Sequence, residues 1–151
     1  MKIRKKEAIF ILILISIVVA IIIIGVVRKE NNTNENKVNY EVLEDGTKLN
    51  KSSKLNEDKM YKGLKFSNIR LTENGDLTTL IADVTNTTST PTKDLTMVDL
   101  TFYDEAGNAL GSTIGIIKPL VAGEATQLDA RLTLDYTNAY DLKITEHKSN
   151  W

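Results

Sequence analysis

The chain has no cysteine, a single histidine, two prolines and a single tryptophan in 151 residues. Without cysteine there can be no disulfide, thiolate metal centre, cysteine nucleophile or lipid-modified cysteine. One histidine excludes a histidine-cluster metal site. Lysine and arginine number 19 against 20 acidic residues. A balance so close to neutral lacks the basic surface with which proteins displace counterions from nucleic acid, so no nucleic-acid partner is expected. Glycine-rich phosphate loops and basic aromatic stripes are missing too. These absences leave the sequence with much to say about placement and architecture and little about chemistry.

What the chain does have is one long apolar run. From Ala8 to Val27 only Ser16 and Gly25 are not clearly apolar, and no residue is charged. As a helix, 20 residues span about 30 Å, the thickness of a hydrocarbon core. The run is rich in Ile and Val, which also suits a buried strand, but strands rarely exceed about ten residues. Lys2, Arg4, Lys5 and Lys6 precede it, whereas only Arg28 and Lys29 follow. The richer side stays in the cytoplasm. Residues 1–7 are therefore expected to be a cytoplasmic tail, 8–27 a single transmembrane helix contacting membrane lipid, and the rest extracytoplasmic. A cleaved signal would have an apolar core of roughly 7–15 residues and a small-x-small cleavage site; nothing near Gly25 resembles one. A pilin-type helix would follow a processing glycine, and none precedes this run. Ser16 and Ala20 share one helix face at the spacing that lets two membrane helices approach. Any apolar run of this length contains such a pair by chance, and no dimer is inferred from it.

Beyond Val27, 15 basic residues stand against 19 acidic ones, a net charge of −4. Such a surface has no electrostatic attraction to an anionic envelope polymer or lipid. Residues 28–41 alternate asparagine with charge and cannot bury enough apolar surface to offset chain entropy, so they read as a flexible tether. From Tyr40 to Lys59 the apolar residues follow neither period, and a short strand or an extended strap is expected. Residues 28–59 are thus assigned to tether and strap, 60–147 to the folded domain, and 148–151, with Trp151, to a tail. Asn-x-Ser/Thr sequences at Asn31, Asn50 and Asn86 carry no weight in an Asn- and Thr-rich chain.

From Leu64 onward the hydrophobic period becomes two. Leu80, Ala82 and Val84 alternate with polar neighbours, as do Val98, Leu100 and Phe102; Leu128, Ala130 and Leu132; and Tyr140, Leu142 and Ile144. Each set lines one face of a strand. Turn chemistry separates the sets. Asn74-Gly75 fits a hairpin. Asp104 to Gly107 fits a type I turn with Gly107 at the positive φ of a bulge. Residues 86–93, 119–124 and 135–139 read as loops. Six strands, a possible seventh near Val42 or Leu55, and no convincing 3.6 period predict an all-β, two-sheet antiparallel sandwich. Asp135 to Tyr140 is similar to a tyrosine corner, with Tyr140 tying down the loop before its strand.

Leu100-Thr101-Phe102-Tyr103-Asp104, followed by Gly107, resembles the signature of the FxLYD family, immunoglobulin-like modules of membrane-anchored extracytoplasmic proteins of Gram-positive bacteria. Ala82 to Thr88 is similar to that family's strand ending in a Val-x-Asn turn. Leu120 to Glu124 is similar to its Leu-Pro-Gly loop, with Ala122 where a proline is common. Leucine and phenylalanine are exchanged in the signature. The resemblance spans roughly residues 64–145. It implies an Ig-like sandwich at the cell membrane and no catalytic residue.

No catalytic constellation is evident. His147 is the only imidazole and falls near the chain end, where order is least. Asp99 and Asp129 lie on polar strand faces, where acids are usually solvated. Asp104, Glu105 and Asn108 in one turn, and Asp135, Asn138 and Asp141 in another, could hold calcium, but neither group has EF-hand spacing and turns favour these residues for backbone reasons. The function expected is a non-enzymatic, cofactor-free membrane-anchored module acting through an envelope protein partner. A small-ligand or calcium-binding sensor is the alternative, and an envelope hydrolase a more distant one.

Overall fold

The computed structural model describes residues 38–92 and 94–148. The apolar run with its flanking markers Ala8, Ser16, Ala20 and Val27, and also Trp151, lies outside them. Among the described residues no helix is long and apolar enough to cross a membrane.

The described chain is all-β, with two antiparallel sheets. In order come β1 (Tyr40–Val42), β2 (Lys48–Asn50), a single helical turn α1 (Ser53–Asn56), β3 (Lys59–Tyr61), β4 (Leu64–Asn74), β5 (Leu77–Asn86), β6 (Thr96–Tyr103), β7 (Ala109–Ile117), β8 (Ala125–Leu132) and β9 (Asp141–Glu146). One sheet runs β1-β2-β4-β5-β8, with β3 also pairing β4; the other runs β7-β6-β9. The expected hairpin at Asn74 forms, with Asn74 opposite Leu77 across a two-residue turn. The expected bulge at Gly107 forms as well. Gly107 has φ +85, its N–H donates to the Asp104 carbonyl, and the Asp104 N–H donates to the Asn108 carbonyl. A residue with a Cβ reaches that conformation only at a cost.

The strap belongs to the body. β4 gives one edge to β5 along its length and the other to β2 near Glu73 and to β3 near Leu64. Between them Ser52 caps α1, its hydroxyl accepting from the Leu55 N–H, and Leu55 is completely buried in the common core. Strands of three residues carry too little alternation to be read from sequence, so the folded domain starts upstream of residue 60.

The core is shared by both sheets. Leu64, Phe66, Ile69 and Leu71 on β4, Leu80, Ala82 and Val84 on β5, and Leu128, Ala130 and Leu132 on β8 meet Val98, Leu100 and Phe102 on β6, Ile117 on β7 and Leu142 on β9. The predicted alternation on β5, β6 and β8 is therefore the burial pattern observed. On β9 only Leu142 is fully covered; Ile144, and Tyr140 just before the strand, are half-buried. β4 keeps its apolar face inward past a bulge between Ser67 and Arg70, where Asn68 takes φ +51.

Candidate functional site

The signature residues fall on β6 and the turn that follows. Leu100 and Phe102 are wholly buried. Phe102 stacks on Tyr136, with ring centroids 5.1 Å apart and planes 8° from parallel. Tyr103 is on the opposite face, and Lys143 Nζ sits 4.3 Å from its ring centroid in cation–π geometry. Asp104 Oδ2 accepts from the Asn108 side-chain amide at 2.9 Å and Oδ1 from the Asn108 N–H at 2.8 Å. Those bonds hold the Asp104 carboxyl below the usual carboxylate range.

The tie expected of Tyr140 is made by other groups. Among the described residues its phenolic oxygen has no hydrogen bond; its backbone N–H donates to Tyr103 O and its carbonyl accepts from the Ser52 hydroxyl. Tyr136 packs the corner through its ring, and Asn50 fastens the loop. The fully satisfied Asn50 donates to both Thr137 O and Ala139 O at 2.7 Å, while its Oδ1 accepts from the Ser52 N–H. Asn50 is only 2% exposed. No spacing rule links it to a loop 87 residues away, which is why sequence reasoning missed it.

Asn86 does the same elsewhere. It is completely buried, donates to Thr90 O at 2.8 Å and Leu120 O at 3.1 Å, and accepts from the Thr88 N–H and hydroxyl. Its backbone completes the joint, donating to Glu124 O and accepting from the Gly123 N–H. The 82–88 and 120–124 segments are thereby one unit. Burial and saturation leave neither Asn50 nor Asn86 available as a glycosylation acceptor.

Several titratable residues are mutually engaged. His147 is not frayed: its Nδ1 lies 2.8 Å from Asp99 Oδ1 and its N–H donates to Met97 O. Among the described residues no hydroxyl is hydrogen-bonded to this imidazole. Lys48 bridges Glu73 at 3.0 Å and Asp135 at 2.6 Å, which pushes the Lys48 ammonium up. Burial raises the Asp135 carboxyl, but hydrogen bonds from Lys48 and Thr137 outweigh it and hold the group low. Asp141 Oδ1 takes Lys59 at 2.9 Å and the Leu142 N–H; Asn138 Oδ1 takes the Asn39 N–H. Asp104 and Asp135 thus spend both carboxylate oxygens on the fold, and Asp141 one. Among the described residues no three His, Cys, Asp or Glu side chains are placed to share a metal ion.

Two outer surfaces remain. On the larger sheet the bulge opens a shallow concavity of about 420 Å³, lined by Asn68, Ile69, Arg70, Ile81, Asp83 and Gln127. Asn68 and Asp83 are joined at 2.7 Å. On the smaller sheet β7 carries an inverted pattern. Its inward positions are Gly111, Thr113, Gly115 and Ile117, and its outward positions include Ser112, Ile114 and Ile116. Ile116 is 57% exposed, Ile114 43%, and Met97, directly opposite Ile116 on β6, 42%. The signal was present as glycine alternating with isoleucine, a period of two in which the small residues are the buried ones.

No family model matches the sequence, and no significant match was found among curated proteins or among solved structures.

Proposed function

We propose that the chain is a membrane-anchored extracytoplasmic sandwich module that acts by protein–protein interaction or scaffolding at the bacterial envelope, without catalysis. The observation that carries the interaction reading is the apolar cluster of Met97, Ile114 and Ile116, which sits beside Asp99 and is exposed among the described residues. A neighbouring protein would gain by covering it, since burying apolar area is worth about 25 cal/mol per Å². The anchor reading rests on the charge-free run from Ala8 to Val27 and its basic N-terminal flank.

Strand pairing supports an Ig-like assignment. β4, β5 and β8 pair as do strands A, B and E of immunoglobulin sandwiches, and β7, β6 and β9 as do C′, C and F. Membership of the FxLYD group is supported by the way the similar segments work together. The signature places Phe102 under Tyr136, and Asn86 joins the Val-x-Asn turn to the Leu120 loop.

The test is co-purification of the full-length chain from its own membranes, beside an Ile114→Asp, Ile116→Asp variant. A stoichiometric envelope protein retained by the parent and lost from the variant is the expected result. Equal recovery with both chains would refute the use of this face. External protease removing the C-terminal domain from intact cells checks the orientation. The rival reading, a small-ligand sensor, would use the bulge concavity, where Arg70 has no ion-pair partner among the described residues.

A further inference from the structure

We infer that β7 is a self-pairing edge: two copies of this chain join their β7 strands antiparallel about a two-fold axis at Ile114, forming one continuous six-stranded sheet from the two three-stranded ones. The inference rests on reading the β6–β7 face as an interaction surface and names its partner.

β7 ends its sheet, and among the described residues no backbone hydrogen bond joins it to any element except β6. One row of its N–H and C=O groups is thus available for another strand. Proteins usually blunt such edges with charge, proline or shortness. The other edge strands follow that rule: β9 carries Asp141, Lys143 and Glu146, β8 carries Asp129 and Arg131, β3 has Lys59 and only three residues, and β1 has Glu41 and only three. β7 has nine residues, no charge and no proline.

Its own sequence is the complement it fits. The register with β6 shifts near Tyr103, leaving Gly111–Ile117 as the regular segment, and Ile114 is its midpoint. Antiparallel pairing about that residue sets Ile114 against its own copy and Ser112 against Ile116, all outward. Thr113 then meets Gly115, so the crowded inner face stays unobstructed. No like charges oppose one another anywhere in the segment, and Thr113, Ile114, Ile116 and Ile117 are β-branched, which suits a pleated ladder. The pair would extend the ladder of Met97, Ile114 and Ile116 across both copies.

The cysteine-free sequence makes the test direct. Full-length Ile114→Cys, in membranes under mild oxidation, brings two Cβ atoms about 4.5–5.5 Å apart if the register holds. Arg70→Cys, exposed on the other sheet, reports random encounter. Ile114→Cys should form disulfide-linked homodimer roughly tenfold faster than Arg70→Cys, the excess of a fixed pair over diffusion in a shared membrane. Ser112→Cys combined with Ile116→Cys, opposed in the same register, should do likewise and covers the case in which the Ile114 substitution weakens the pair. Equal rates for all three overturn the proposal. If thiol-reactive crosslinking then joins the Ile114→Cys chain to a different protein, the occupant is that protein and the interaction reading stands. If it joins nothing, both readings fall.

Discussion

The two outer faces of the molecule obey opposite rules. On the larger sheet, Thr79, Ile81, Asp83 and Thr85 of β5 and Gln127, Asp129 and Arg131 of β8 turn outward while leucine, valine and alanine turn in. On the smaller sheet, β7 turns Gly111 and Gly115 inward and Ile114 and Ile116 outward, with Ile117 buried at its end. The cause lies under the strand. A Cβ at Gly115 would sit 3.0 Å from Val98 Cγ2 and 3.1 Å from Leu100 Cδ1, and one at Gly111 would meet the Tyr136 ring. The large side chains of β6, β8 and the 135–139 loop fill the space that β7's own side chains would need. Two of its inward positions are therefore glycine, with Ile117 alone filling the core at the strand's end, and Ile114 and Ile116 are left facing out. A strand whose interior is supplied by its neighbours is free to spend its side chains on something else.

That contrast can be broken most severely from the inside. Phe102→Ala removes a completely buried ring and its stack on Tyr136. It should cost about 3–5 kcal/mol, the usual range for a buried aromatic. Urea unfolding of the full chain in detergent, followed by circular dichroism, reads it. A loss below about 1 kcal/mol would mean that the site relaxes and that Tyr136 is not held by this ring.

The two buried asparagines come next. Asn86→Ala removes the bonds of a completely buried amide to the Thr90 and Leu120 carbonyls and from Thr88, although Thr90 O keeps the Thr88 hydroxyl and Leu120 O the Thr92 N–H. A hydrogen bond contributes about 0.5–1.5 kcal/mol net where the partner keeps another, so a loss of about 1–2 kcal/mol is expected. Asn50→Ala should cost more, about 2–3 kcal/mol, because among the described residues no other donor reaches the Thr137 and Ala139 carbonyls. A surface asparagine at either position would show almost nothing.

Gly111→Ala sharpens the comparison further. No positive φ is required at Gly111, so any penalty arises from the added methyl colliding with Tyr136, first its Oη and then the ring carbons Cζ and Cε1. Overpacking of this kind costs about 1–3 kcal/mol. Gly111→Ala combined with Tyr136→Phe, which removes the offending oxygen, should recover part of the loss. No recovery would place the cost in the ring carbons, since the added methyl would also sit 2.6 Å from Tyr136 Cζ and 2.9 Å from Cε1.

Acid probes the ion pairs that fasten the strap. Asp135 is held below its ordinary 3.8 in the folded chain. Its contribution is present above that value and fades as pH falls through the lower, folded one. The unfolding midpoint should thus drop below about pH 4, and Asp135→Asn should flatten that limb. An unchanged acid limb would mean that Lys48 makes no net contribution through this partner.

How much of this was readable depends on where each partner lay. β5, β6 and β8 were legible because alternation is a local property of half-buried strands. The Asp104–Gly107 turn was legible because turn chemistry is local too. The strap was not: β2 and β3 are shorter than the window in which a period shows, and Leu55 is a single plug between them. Asn50, Tyr136 and the His147–Asp99 pair gain their meaning from residues far away in sequence, and composition carries no trace of that. β7 lay between these cases. Its period of two is plain, but the hydrophobic set is displaced by one residue, and only the neighbours' bulk explains why.

The smallest expected effect is the most discriminating. Ile116→Thr exchanges one outward β-branched side chain for another on a strand that its neighbours already pack. A surface change of this sort stays within about 0.5 kcal/mol, so the urea midpoint should not move. The same change removes apolar area from the ladder that Met97 and Ile114 share. If the outer face of β7 serves association, Ile116→Thr should leave folding intact and lower the yield of crosslinked or co-purified complex. If Ile116 instead supports the fold, both readouts fall together. A strand that can be altered on one face without cost and on the other only at high cost has its two faces under separate constraints, and the exposed isoleucines then belong to whatever meets the edge.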